Sequence, residues 1–136
     1  MRDVITMPVK SLLKADGLGL DQMAIVECLA IGAHAVRRAQ IREGQTALVI
    51  GAGPIGMGAM QFARLAGARV IAMDINQERL DYCRTRLGAH DTVDARENVE
   101  EQLCALTDGD FPAIVFDATG NPKSMMNAFQ YVAHAG

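Results

Sequence analysis

TALVIGAGPIGMGAMQFARLAGARVIAMD, residues 46–74, carries the pattern from which the fold follows. Thr46–Ile50 is a short apolar run with β-branched residues, the composition of a parallel strand covered on both faces. Gly51, Gly53 and Gly56 then form G-x-G-x-x-G. The first glycine allows a tight turn, the second lets the backbone approach a pyrophosphate, and the third lets a helix pack against the strand. Pro54 stands where that helix begins, a position at which its fixed φ and missing N–H cost nothing. The free N–H groups of the first turn and the positive end of the helix dipole point to an anion. Val70–Met73 reads as a second buried strand and ends in Asp74, 23 positions after Gly51. That spacing suits an acid that hydrogen-bonds a ribose.

Taken together, strand, glycine turn, helix, strand and acid predict a dinucleotide site built on Gly51, Gly53, Pro54, Ile55, Gly56 and Asp74. The acid also selects the dinucleotide. A carboxylate here accepts hydrogen bonds from the adenosine 2′- and 3′-hydroxyls, whereas a 2′-phosphate brings negative charge against Asp74, and Ile75 offers no cation to offset it. The expected cofactor is NAD, not NADP.

The chain has 136 residues, enough for one domain with its own core but too few for a complete two-domain oxidoreductase. Half of its residues are hydrophobic and it has no Trp, which suits an aliphatic α/β interior. A net charge of −3 gives no basic surface for nucleic acid. Met1-Arg-Asp-Val has no long apolar segment of the kind that opens a signal peptide, and Gly, Glu27 and His34 interrupt the apolar stretches that would otherwise resemble a membrane span. Cys28, Cys83 and Cys104 are odd in number and widely spaced, as expected for reduced, buried thiols in the cytoplasm.

Residues 1–20 read as an extended lead-in. Asp21 is the expected N-cap of a helix running from Gln22 to about Gln40, with Ile25, Leu29, Ala33 and Val36 on its buried face. After Asp74 the pattern gives a helix over 76–86 with Leu80 and Cys83 inward, a strand over 91–95, a helix over 97–107, a strand over 113–116 and a last helix capped by Asn121. That last helix carries Met125, Ala128, Phe129 and Val132 as its apolar residues. Alternating strands and helices predict a Rossmann-type, doubly wound parallel sheet in the order 3-2-1-4. The two further strands usual in that fold are missing, so the domain over 21–136 is incomplete and the strand at 113–116 is an open edge.

The run VECLAIGAHAVRRAQIREGQTALVIGAGPIGMGAMQFARLAGARVIAMDINQERL, with GAGPIG and the Asp74-to-Arg79 spacing, resembles the zinc-dependent medium-chain dehydrogenases, and within them the sorbitol or polyol dehydrogenase branch. The resemblance covers nearly the whole chain: residues 1–20 are similar to the end of the family's catalytic domain and 21–136 to its NAD-binding domain. It implies that the backbone around Gly53, Pro54 and Ile55 holds the pyrophosphate, that Asp74 takes the ribose hydroxyls, and that Arg79 lies against the adenosine. Thr119 and Gly120 would lie along the cofactor, and Glu27 would face the catalytic zinc of the intact enzyme. The family usually has proline after that glutamate, where this chain has Cys28. The other zinc ligands and most substrate contacts would belong to an N-terminal region outside these residues. The implied activity is hydride transfer from a secondary alcohol to NAD in the intact enzyme, with this piece alone inactive. An alcohol substrate and a homo-oligomer are the partners implied, with no nucleic acid and no membrane. The alternative is a stand-alone, non-catalytic NAD-binding or redox-sensing module.

Overall fold

Strand β1, Thr46–Ile50, is the centre of the molecule, and all of its residues from Ala47 to Ile50 are buried. The computed structural model describes residues 3–136. In chain order it contains helix α1 (Leu20–Ala39), β1, α2 (Pro54–Leu65), β2 (Arg69–Asp74), α3 (Gln77–Thr85), β3 (Asp91–Asp94), α4 (Val99–Leu106), β4 (Ile114–Asp117) and α5 (Pro122–Ala128). The four strands are all parallel in the order β3-β2-β1-β4, as the alternation of elements requires.

Because successive side chains of a strand point to opposite faces, β1 and β2 divide their apolar residues between two cores. Ala47, Val49, Val70 and Ala72 face Met60 and Ala63 of α2, Leu80 and Cys83 of α3, and Val36 of α1. Leu48, Ile50, Ile71 and Met73 face the other way, with Val93, Val99, Leu103 and Tyr131. Helices therefore cover both faces of the sheet, which is the doubly wound arrangement.

Two arginines lock elements together in ways that composition does not reveal. Arg69 pairs with Asp91 at 2.7 Å, tying β2 to β3, and donates to the Leu106 carbonyl at 2.7 Å where α4 ends. Arg64 of α2 donates to the Leu87 carbonyl at 2.6 Å, just past α3.

Several expectations need correction. Helix α1 begins at Leu20, with Gly19 as its extended N-cap, so Asp21 lies within the first turn and is not the cap. The Gly19 N–H is taken by Gln22 Oε1 at 2.8 Å, which supplies the closing contact without a side chain at the cap. Ile25 is exposed. The buried line of α1 runs through Gly32 and Val36, because α2 approaches at Gly32: a Cβ built there would lie 2.6 Å from the Ala59 nitrogen. At the other end α5 stops at Ala128, and Phe129 is 78 % exposed, with Tyr131 filling the core position instead. Cys104 is exposed and Cys28 half-buried, so only Cys83 is a buried thiol. Residues 3–19 contain one short 3-10 turn, Val9–Ser11, and all of their side chains are exposed. Among the described residues no helix is long and apolar enough to cross a membrane.

Candidate functional site

Both inner strands end at the same rim of the sheet, and the turns that follow them open a cleft of about 620 Å³ there. In open α/β sheets ligands bind outside the carboxyl ends of the strands where the winding reverses, and here that reversal falls between β1 and β4. Gly51, Gly53, Asp74, Ile75, Arg79 and Thr119 all line this cleft. The three glycines divide the work. Gly51 has φ +97° and lies so close to the turn after β4 that an added Cβ would be 3.2 Å from the Ala118 carbonyl. Gly53 is extended and open, with nothing within 4 Å of where its Cβ would be. At Gly56 a Cβ would overlap the Gly51 carbonyl oxygen, so that glycine serves packing and not contact with a ligand.

Helix α2 has Gly53 as its N-cap and Pro54 at its first position, with no side chain closing its first turn. Helices α3, α4 and α5 differ: Asn76, Asn98 and Asn121 each accept from first-turn N–H groups through their side-chain oxygen. Of these four helices, the one without a side-chain cap is thus the one that follows the glycine turn. Its orphan N–H groups suit an anionic ligand.

Asp74 is the only buried charged residue among those described. Its Oδ2 accepts from the Ala52 N–H at 2.6 Å and its Oδ1 from the Asn76 N–H at 2.8 Å. One carboxylate therefore braces the glycine turn and the start of α3 together, while each oxygen keeps a further lone pair for a ligand hydroxyl. Across the cleft, Asp117 accepts from the Thr119 N–H at 3.0 Å, from its hydroxyl at 2.8 Å, and from the Ser124 hydroxyl. It fixes the turn after β4, as a capping acid does, and is not presented as a base. Of the remaining candidates, Pro54, Ile55, Gly56 and Gly120 are not among the residues lining the cleft: Pro54 and Ile55 are exposed at the start of α2, Gly56 is buried, and Gly120, at φ +66°, shapes the turn after Thr119.

Glu27 is not among the residues lining this cleft and lies on an exposed part of α1, where its carboxylate accepts from the Cys28 thiol at 3.7 Å. Among the described residues no three His, Cys, Asp or Glu side chains stand close enough to hold a metal. These described residues do not form a zinc site by themselves.

The wall supplied by α5 was missed in the sequence. Asn121, Lys123, Ser124, Asn127 and Tyr131 all line the cleft. The signal available was the recurrence of strand, short turn and a proline at the helix start, since Pro122 opens α5 as Pro54 opens α2. The arrangement as a whole can bind a charged and polar ligand along the rim. It presents no poised acid and base pair for chemistry of its own.

Comparison with known proteins agrees with this fold. The family model described as zinc-binding dehydrogenase matches residues 54–136. L-galactonate-5-dehydrogenase of Escherichia coli (strain K12) is 40% identical over 134 residues, which are 98% of this chain and 39% of that protein. The solved structure of an alcohol dehydrogenase from E. coli CFT073, complexed with NADH, superposes with a TM-score of 0.83 at 26% identity, over 96% of this chain and 39% of that one. The 2R,3R-butanediol dehydrogenase of Bacillus subtilis gives a TM-score of 0.76 at 32% identity, over 90% of this chain and 35% of that one. The chain thus spans 28–40% of the length of the curated relatives it matches. A glycine turn, an uncapped helix and a strand-end acid lie in this matched length, and the chain belongs to the zinc-binding dehydrogenases.

Proposed function

We propose that residues 21–136 are the NAD(H)-binding part of a dehydrogenase acting on a polyol or sugar acid, and that residues 1–20 are the end of its catalytic part. The single observation that carries this is the cleft in which the uncapped start of α2, the open Gly53 and the buried Asp74 carboxylate share one rim. A pyrophosphate meets the amides and the Gly53 backbone, with Pro54, Ile55 and Gly56 setting the direction of the helix. Asp74 receives the adenosine ribose hydroxyls, Ile75 and Arg79 flank that sugar, and Thr119 and Gly120 shape the far side. The named relatives support the substrate class: one acts on L-galactonate and another on butanediol, and both are secondary alcohols. In the whole enzyme a bound nicotinamide would supply the acceptor for the hydride of the alcohol carbon, the hydroxyl proton leaving to solvent, and this chain's part is to hold the dinucleotide in register for that transfer. Glu27 is a proposed neighbour of the zinc in that whole enzyme. The free cysteines fit a cytoplasmic home, and the unpaired edge of β4 fits a homo-oligomer.

Calorimetric titration with NADH and NADPH tests the reading. NADH is expected to bind at least about tenfold more tightly, because its ribose gains charge-assisted hydrogen bonds where the 2′-phosphate meets a carboxylate. Equal affinities, or no binding of either, would overturn it. Asp74→Ala should shrink the ratio of the two affinities. The ratio is the proper readout, because that variant also strands the Ala52 and Asn76 N–H groups and so alters stability.

A further inference from the structure

The wall of the cleft opposite Asp74 has a pattern of its own. Lys123, Asn127 and Tyr131 recur at intervals of four along α5 and the turn beyond it, and all three line the cleft. The other polar groups of this wall are already engaged. Asn121 Oδ1 accepts from the Lys123 N–H at 2.9 Å and the Ser124 N–H at 3.3 Å, and the Ser124 hydroxyl is held by Asp117. Among the described residues, the side chains of Lys123, Asn127 and Tyr131 make no hydrogen bond or ion pair. Helix α5 is thus closed at its own N-terminus by its cap, and the cation it carries into the cleft is left without a counter-charge.

That placement matches a deficit on the other wall. Helix α2 offers its dipole and amides to two phosphates, but Pro54 removes one of the first-turn donors. The remaining cation at the rim, Arg79, belongs to α3 on the Asp74 side. We infer that Lys123 is the ionic anchor of the cofactor pyrophosphate from the α5 side, with Asn127 and Tyr131 as its polar neighbours along the bound dinucleotide. This rests on the reading of the cleft as the cofactor site. Lys123 is a positioning residue in this role: it holds the dinucleotide and takes no part in hydride transfer.

The test is calorimetric titration of the protein with NADH, at low and at near-physiological salt, for the wild type, Lys123→Ala and Lys123→Arg. Lys123→Ala is expected to raise the Kd about fivefold to tenfold at low salt, the range of a partly solvated charge contact. The gap should narrow as salt screens the ion pair. Lys123→Arg should recover most of the affinity, and melting temperatures of all three should agree, because the Lys123 side chain makes no hydrogen bond or ion pair among the described residues. If Lys123→Ala binds NADH as the wild type does, or loses affinity equally at both salt concentrations, the ionic anchor is refuted while the cofactor reading stands. If the wild type itself does not bind NADH, it is the cofactor reading that fails.

Discussion

Two glycines three positions apart, Gly53 and Gly56, are alike in sequence and opposite in physical role. Gly53 faces open space at an extended backbone angle, so a side chain fits the unliganded protein. Gly56 lies under the Gly51 carbonyl, where even one methyl group must displace backbone. Gly53→Val should therefore leave the melting temperature within a degree or two and abolish NADH binding, since the branched side chain takes the place of the pyrophosphate. Gly56→Ala should cost about 2 kcal/mol or more, lowering the melting temperature by about 5–10 °C. Thermal melts paired with NADH titration separate the two outcomes, and a Gly53→Val variant that is folded and still binds would remove the glycine turn from the site. Asp74 shows the same economy. Its carboxylate braces Ala52 against Asn76, and those two N–H bonds let this acid be buried although charged; the same carboxylate is the proposed ligand of the ribose.

Among the elements, helix caps separate scaffold from site. Asn98 caps α4 through the Glu101 N–H and is not one of the residues lining the cleft, whereas Asn121 caps α5 and lines the cleft as well. Replacing either by alanine should cost about 1 kcal/mol of stability. Only Asn121→Ala should also weaken NADH binding, because only that cap positions Lys123; denaturant melts and calorimetry on both variants check this, and equal losses of affinity would contradict it. These elements also show what is legible in a chain. The β1–α2–β2 unit could be read because its signals are local: an apolar run, a glycine spacing, a proline at a helix start, an acid at a strand end. The short length of α5 could not, because Phe129 continues an apolar periodicity that the fold leaves in solvent while Tyr131 turns inward. Nor could the buried line of α1. Its decisive residue is Gly32, which periodicity counts as nothing and which matters only because α2 passes there. The α5 wall of the site was illegible for a related reason: Lys123, Asn127 and Tyr131 look like solvated helix residues until β4 brings α5 to the rim of β1.

In the molecule taken whole, sheet order followed from the alternation of elements, since parallel strands joined by helices leave few ways to wind, and the two cores followed from strand alternation. How stability responds to pH was not open to such reading, because it depends on which titrating groups the fold brings together. Two groups bound the response. Arg96, hydrogen-bonded to Asp94 by side chain and backbone, lowers the Asp94 carboxyl from 3.8 to about 2. A carboxyl held down in the folded state gives stability that is complete above 3.8 and is lost as pH falls through about 2. Burial, aided by the negative charge of Asp74, raises the Cys83 thiol from 9.0 to about 11. A thiol held up in this way gives stability that is complete below 9.0 and is lost as pH rises toward 11, because only the unfolded chain ionises readily in that interval. The alkaline limb can be isolated by subtraction. Every other titrating group is common to the wild type and Cys83→Ala, so the change with pH in the difference of unfolding free energy between the two proteins reports Cys83. That difference should stay level from pH 6 to 9 and then shift against the wild type up to pH 11. A difference that stays constant across the alkaline range would show that the Cys83 thiol ionises as easily in the folded core as in the open chain.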